Sequence, residues 1–106
     1  RLLTEAGLKG HERALVVGAA TGYSAAVVAR LARTVVALEE ESALVVAARE
    51  ALAATGALVA EGPLVEGWRQ GAPYDFILID GAVEYVPQSL VDQLADRGEL
   101  ACALLD

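Results

Sequence analysis

The residues able to do chemistry gather where the apolar run Ala14-Leu-Val-Val17 breaks at Gly18. The chain then turns through Ala19-Ala-Thr-Gly22 and enters Tyr23-Ser24 and an alanine-rich stretch. Strand, tight turn and helix start follow one another. In an open α/β sheet such a junction lies at the carboxyl end of a central strand, where backbone N–H groups and the helix dipole face a ligand. Glu39 stands about 20 residues beyond Gly18, the interval at which dinucleotide folds place an acid on a ribose. It closes the β-branched run Thr34-Val-Val-Ala-Leu38, and its carboxylate can accept hydrogen bonds from both hydroxyls of an adenosine. The competing reading makes Glu39 the solvated start of a helix whose dipole favours acids, which is the reading given to Glu40 and Glu41.

The type of ligand narrows by spacing. A dinucleotide loop, Gly-x-Gly-x-x-Gly, needs glycine where this chain has Tyr23, and no Gly-Lys-Ser/Thr marks a P-loop. The spacing Gly18-x-Ala20-x-Gly22 suits the turn that passes the amino-acid end of S-adenosylmethionine in class I methyltransferases. Acid–base machinery is sparse. His11, the single histidine, lies in the polar connector Leu8 to Arg13 and reads as solvated rather than catalytic. No Ser/His/Asp set or paired-carboxylate site is evident, which argues against hydrolases. Asp80 has no second acid at ligand spacing, so no metal is expected there. Trp68 and Tyr85 read as loop-packing anchors ahead of stacking partners for a base.

Positioning such a site requires alternating strands and helices. Arg1 to Gly7 reads as a helix end, and the first strand runs from about Ala14 to Val17. A helix from Tyr23 to Ala32 and a strand from Thr34 to Leu38 follow. Ser42 is the expected N-cap of a helix reaching about Ala54, with Gly56 as its stop. Ala57 to Ala60 is a third strand, Glu61 to Pro73 a turn-rich loop, and Asp75 to Asp80 a fourth strand. A helix from Pro87 through Ala95 stops at Gly98, and Glu99 to Leu104 is the fifth strand. Right-handed crossovers then give a Rossmann-like three-layer α/β/α fold with a parallel sheet of about five strands, order 3-2-1-4-5. Ligands gather near the switch point between strands one and four, at Gly18 to Ser24, Glu39 to Glu41, Glu61 to Leu64 and Asp80 to Glu84.

Composition sets the outer bounds. The 106 residues make one domain, and the abrupt ends predict a fragment of a longer protein. Hydrophobic residues reach 56% but aromatics only 5%, so Ala, Val and Leu must build the core. A formal charge of −7 disfavours nucleic acid and anionic membranes as partners. Cys102 lies in an apolar run and reads as a buried small hydrophobe. Neither disulfide framework, signal peptide nor membrane-length apolar run is visible, which predicts a cytoplasmic protein. The fifth strand is apolar enough to be central yet has no following partner, so two copies are expected to pair as a homodimer through that edge.

A family resemblance covers nearly the whole chain. Arg13 to Ala32 (RALVVGAATGYSAAVVARLA), Val35-Val-Ala-Leu-Glu39, Glu66-Gly-Trp68, Gly71-Ala-Pro-Tyr-Asp-Phe-Ile-Leu-Ile79 and Gly81-Ala-Val-Glu-Tyr-Val-Pro87 together resemble the protein-L-isoaspartate O-methyltransferase family. The resemblance implies S-adenosylmethionine as cofactor and proteins or peptides with isoaspartyl residues as substrates. It places Gly18, Ala20, Gly22, Tyr23 and Ser24 along the methionine end, Glu39 on ribose, and Gly62 at the start of the loop over adenine. Methyl transfer to a carboxylate needs little acid–base chemistry, because the attacking oxygen is already ionised and positioning carries the catalysis. No catalytic side chain is therefore assigned, and the fragment alone is not expected to turn over. Three positions depart from the family pattern: Val16 replaces an acid of the first strand, Ala20 a loop glycine, and Pro63 an aspartate near adenine. These departures frame an alternative, a non-catalytic relative that keeps the fold as a binding or assembly module. An NAD-binding fragment is a weaker third reading, because of Tyr23.

Overall fold

A computed structural model describes residues 8–18, 23–80 and 85–103. The expected helix over Arg1 to Gly7 and the loop positions Ala20 and Gly22 lie outside them. Five strands form one sheet: β1 (Arg13–Val17), β2 (Thr34–Glu39), β3 (Leu58–Glu61), β4 (Tyr74–Asp80) and β5 (Leu94–Ala103). Their order is β3-β2-β1-β4-β5 and every pairing is parallel, as the alternating pattern requires. Helices α1 (Tyr23–Leu31), α2 (Ser42–Ala51) and α3 (Gln88–Val91) connect them, with short 3-10 turns at Leu64–Glu66 and Arg69–Gly71.

Side chains alternate across the sheet and build two cores. On one face Ala14 and Val16, Val35 and Ala37, and Phe76 and Leu78 pack beneath Ala25 and Val28 of α1 and Val45 and Ala48 of α2. On the other, Leu15 and Val17, Leu38, Ile77 and Ile79 meet Leu90 of α3 and the partly buried Leu64 and Trp68. The central strands β1 and β4 are covered on both faces, which is why they read as unbroken apolar runs.

Several local expectations fail, most of them for a tertiary reason. Helix α2 is capped by the extended Glu41 rather than by Ser42, with no side-chain cap bond. The Ser42 hydroxyl instead donates to Glu61 Oε2 across to β3, at 2.8 Å. The helix ends at Ala51, and Thr55 Oγ1 closes the turn beyond it on the Leu52 carbonyl at 2.7 Å.

The helix expected from Pro87 through Ala95 is a single turn, and β5 begins already at Leu94. Tyr74 N–H donates to the Gln93 carbonyl at 2.8 Å and Leu94 pairs with Tyr74, so strand pairing takes residues that local propensity would give to the helix. The chain bulges before Glu99 pairs with Phe76, with Arg97 at φ 65°. Gly98 serves this bulge and does not stop a helix. A Cβ there would lie 2.8 Å from the Ala95 carbonyl oxygen and 2.9 Å from that of Tyr74.

Cys102, expected in the core, is exposed. Among the described residues its strand pairs with β4 alone, and on its face the one-turn α3 is too short to cover it. The connector before β1 behaves as read: His11 is exposed, and Glu12 closes the turn by accepting N–H bonds from Lys9 at 2.8 Å and Gly10 at 3.0 Å. Burial pushes the Glu12 carboxyl up, but these amides and the neighbouring His11 outweigh it and hold it below the usual range.

Candidate functional site

The carboxyl ends of β2, β1 and β4 lie side by side. Gly18 leaves β1 at φ 84°, a region that favours glycine, and its N–H donates to the Leu38 carbonyl at 2.9 Å. A Cβ on Gly18 would stand 3.3 Å from the Asp80 carbonyl oxygen, so the turn starts wedged between β2 and β4. Tyr23 is the first residue of α1, and Ser24, next in that turn, is buried.

Glu39 is the last residue of β2 and only 4% exposed. Its Oε1 accepts the Glu40 N–H at 2.9 Å, while its Oε2 is buried without any partner. The Glu39 carbonyl accepts the Gly62 N–H at 3.0 Å, which ties the end of β2 to the start of the loop after β3. Burial of a carboxylate oxygen with no donor is costly, and native chains tolerate it mainly where a ligand or solvent completes the site. The solvated-acid reading fails for Glu39. It suits Glu40 and Glu41, both exposed, although Glu40 Oε1 also accepts the Leu64 N–H at 3.2 Å.

The loop after β3 is held by residues that sequence reasoning passed over. Gln93, 2% exposed, accepts the Trp68 N–H on Oε1 at 3.0 Å and donates from Nε2 to the Glu66 carbonyl at 2.7 Å. The Tyr74 hydroxyl donates to the Trp68 carbonyl at 2.5 Å, and burial of the ring pushes its pKa up to about 12. Trp68 is thereby fixed at both backbone ends, and a Cβ on Gly62 would rest 3.7 Å from its ring. Trp68 packs as the loop anchor expected of it. Tyr85 does not, being 73% exposed. Beside Gly62, Pro63 and Trp68 an open cleft of about 230 Å³ faces solvent. Nothing in the sequence marks Gln93, one of two amides with Gln88 in a helix-like run.

Asp80 closes β4 as Glu39 closes β2, and its Oδ1 is likewise buried with no partner. No group of three or more metal-binding side chains occurs among the described residues. The geometry therefore offers two unsatisfied acceptors around a glycine turn, with a tryptophan-backed loop at one side. Such a site takes a ligand rich in hydrogen-bond donors and needs no proton relay.

The model of the family Protein-L-isoaspartate(D-aspartate) O-methyltransferase matches residues 1–104. This chain belongs to that family. A protein-L-isoaspartate O-methyltransferase of Methanoregula boonei is 47% identical over 93 residues, covering 85% of this chain and 43% of that protein. One from Halorhodospira halophila is 41% identical over 106 residues, covering 97% of the chain and 47% of that protein. The chain thus spans less than half the length of the curated relatives it matches.

Among solved structures, a protein-L-isoaspartate O-methyltransferase superposes with a TM-score of 0.84 at 27% identity, over 92% of this chain and 33% of that one. The DhpI–SAH complex superposes at 0.76 with 19% identity, over 93% of this chain and 50% of that one, and shows the shared fold alone. The Rossmann-like expectation is met in strand order and connection. Gly18, the described part of the loop, and the acid Glu39 lie at the carboxyl ends of adjacent strands.

Proposed function

We propose that this chain is the cofactor-binding core of an S-adenosylmethionine-dependent protein-L-isoaspartate O-methyltransferase, one that passes a methyl group to a carboxylate in damaged protein. The observation that carries the reading is the buried, unpartnered Oε2 of Glu39 beside Gly18. An acceptor at the end of the second strand fits a ribose diol, and no side chain of the described residues satisfies it. The residues present fit the cofactor at three points: Glu39 for ribose, the Cβ-free Gly18 at the turn, and Gly62 on the Trp68 ring beside adenine.

When bound, S-adenosylmethionine supplies the electrophilic methyl. This chain's part is to hold and orient. Glu39 fixes the ribose, and the Gly62 loop, clamped by Gln93 and Tyr74, borders the base. Ser24 and the start of α1 lie at the methionine side. No group need take a proton from an isoaspartyl carboxylate, which is ionised at neutral pH.

Two of the departures are accommodated without blocking the site. Val16 is fully buried in the core under α1 and α2, and Pro63 starts the 3-10 turn at φ −61°. The third, Ala20, lies outside the described residues. The test is calorimetric titration of the intact protein with S-adenosylmethionine, together with labelled methyl transfer to an isoaspartyl peptide. Micromolar binding and transfer are expected. Millimolar or absent binding overturns the reading in favour of a non-catalytic module.

The cytoplasmic setting and the pairing of two copies belong to the same reading. A lone cysteine and no disulfide spacing support the first. The second concerns the 106-residue chain by itself, where the ten-residue β5 is the outer strand of the described sheet, and static light scattering of that chain at high micromolar concentration should return twice the monomer mass. A monomer there removes the pairing from the proposal.

A further inference from the structure

Glu39 and Asp80 flank the turn symmetrically. Val17 pairs with Leu38 on one side and Ile79 on the other, so each acid stands one residue past the register of β1's last residue. Alternation decides which way they face. Val35 and Ala37 of β2 and Phe76 and Leu78 of β4 lie in the core beneath α1 and α2, so Glu39 and Asp80, each two residues further, stand on that same face. Val16 is paired with Ala37 and Leu78, one layer below them, and is fully buried. Two strand spacings, about 10 Å, separate the backbones of the two acids. Among the described residues, Glu39 Oε2 and Asp80 Oδ1 are the buried side-chain polar atoms left without a partner.

Two acceptors that far apart call for a ligand with donors at two places. A ribose joined through sulfur to an amino acid has them, in its diol and in its α-ammonium. We propose that Asp80 binds the α-ammonium of S-adenosylmethionine through its unpartnered Oδ1. This rests on the cofactor reading above. The ammonium fits where the sulfonium does not, because it carries N–H donors, and a charged donor on a carboxylate makes the short, strong class of hydrogen bond. No lysine or arginine of the described residues pairs with Asp80, and no metal-binding group forms there, so the countercharge arrives with the ligand.

Calorimetry on the intact protein with two probes tests this: S-adenosylhomocysteine, and 5′-methylthioadenosine, which lacks the amino-acid end. Asp80→Asn should weaken S-adenosylhomocysteine about 10- to 100-fold and leave 5′-methylthioadenosine unchanged, whereas Glu39→Gln should weaken both. Asp80→Ser, smaller and uncharged, repeats the comparison should the asparagine variant fold poorly. Equal loss on both probes, or no loss on either, overturns the assignment; no loss with a raised KM for the isoaspartyl peptide would hand Asp80 to the acceptor instead. Failure of the unsubstituted protein to bind either probe removes the cofactor reading itself, and Asp80 with it.

Discussion

Glu39→Gln is expected to move stability and binding in opposite directions. In the ligand-free chain the Glu39 carboxylate is shut from solvent with one oxygen satisfied by the Glu40 N–H and the other by nothing. An amide keeps the first bond and the side-chain shape while removing a buried charge, so the folded state should gain about 1 kcal/mol, read as a rise of about 4–8 °C in melting temperature for a domain of this size. Binding runs the other way. The carboxylate makes charge-assisted bonds to two hydroxyls, and the amide offers one acceptor and one donor in their place. A loss of about 100-fold in S-adenosylhomocysteine affinity follows from bonds of 1.5–3 kcal/mol. Thermal melts with and without ligand read both effects, since the stabilisation by ligand grows with the logarithm of its concentration over Kd. A lower melting point with an unchanged ligand shift would make Glu39 a structural residue and undo its ribose role.

That trade-off explains which parts of the site could be read from sequence. Glu39 and Gly18 are legible because their chemistry is local: a glycine break after an apolar run and an acid at the end of the next strand are set by the parallel βαβ unit itself. Strands β1, β2 and β4 are legible for a related reason, since burial on both faces leaves a continuous apolar run such as Phe76-Ile-Leu-Ile79.

What escapes is fixed by partners distant in sequence. Ser42 looks like a cap until Glu61 takes its hydroxyl. Residues 92–95 look helical until Tyr74 claims the Gln93 carbonyl and pairs with Leu94. Cys102 looks buried, yet it is exposed on the outer strand of the described sheet. Asp80 belongs to the same class. Its spacing excluded a metal, but only the register of β4 on β1 brings its unpartnered oxygen to the same face as Glu39.

Gln93→Leu should be among the most damaging single changes outside the apolar core, although Gln93 touches no ligand. Its amide is the partner of two backbone groups at once, the Glu66 carbonyl and the Trp68 N–H. Leucine fills similar space and serves neither. Each stranded group costs about 1–3 kcal/mol, so a loss of about 3–5 kcal/mol in urea unfolding is expected. Trp68 is the single tryptophan, so its emission should shift to the red as the loop lifts from Tyr74 and Leu90.

Gly67 gives the coupling test. At φ 64° it lies so close to the same amide that a Cβ would fall 2.6 Å from Gln93 Oε1, and Gly67→Ala must push that side chain aside. With Gln93→Ala already in place the obstruction is gone, and the double variant should lose less than the two single losses added together. Strict additivity would mean that Gln93 and the loop are held independently. Because the Trp68 ring backs Gly62, and Gly62 is bonded to the Glu39 carbonyl, loosening the loop should also raise the KM for S-adenosylmethionine far more than it lowers kcat. On the proposed reading the clamp acts through the cofactor's seat, by way of Trp68, Gly62 and the Glu39 carbonyl.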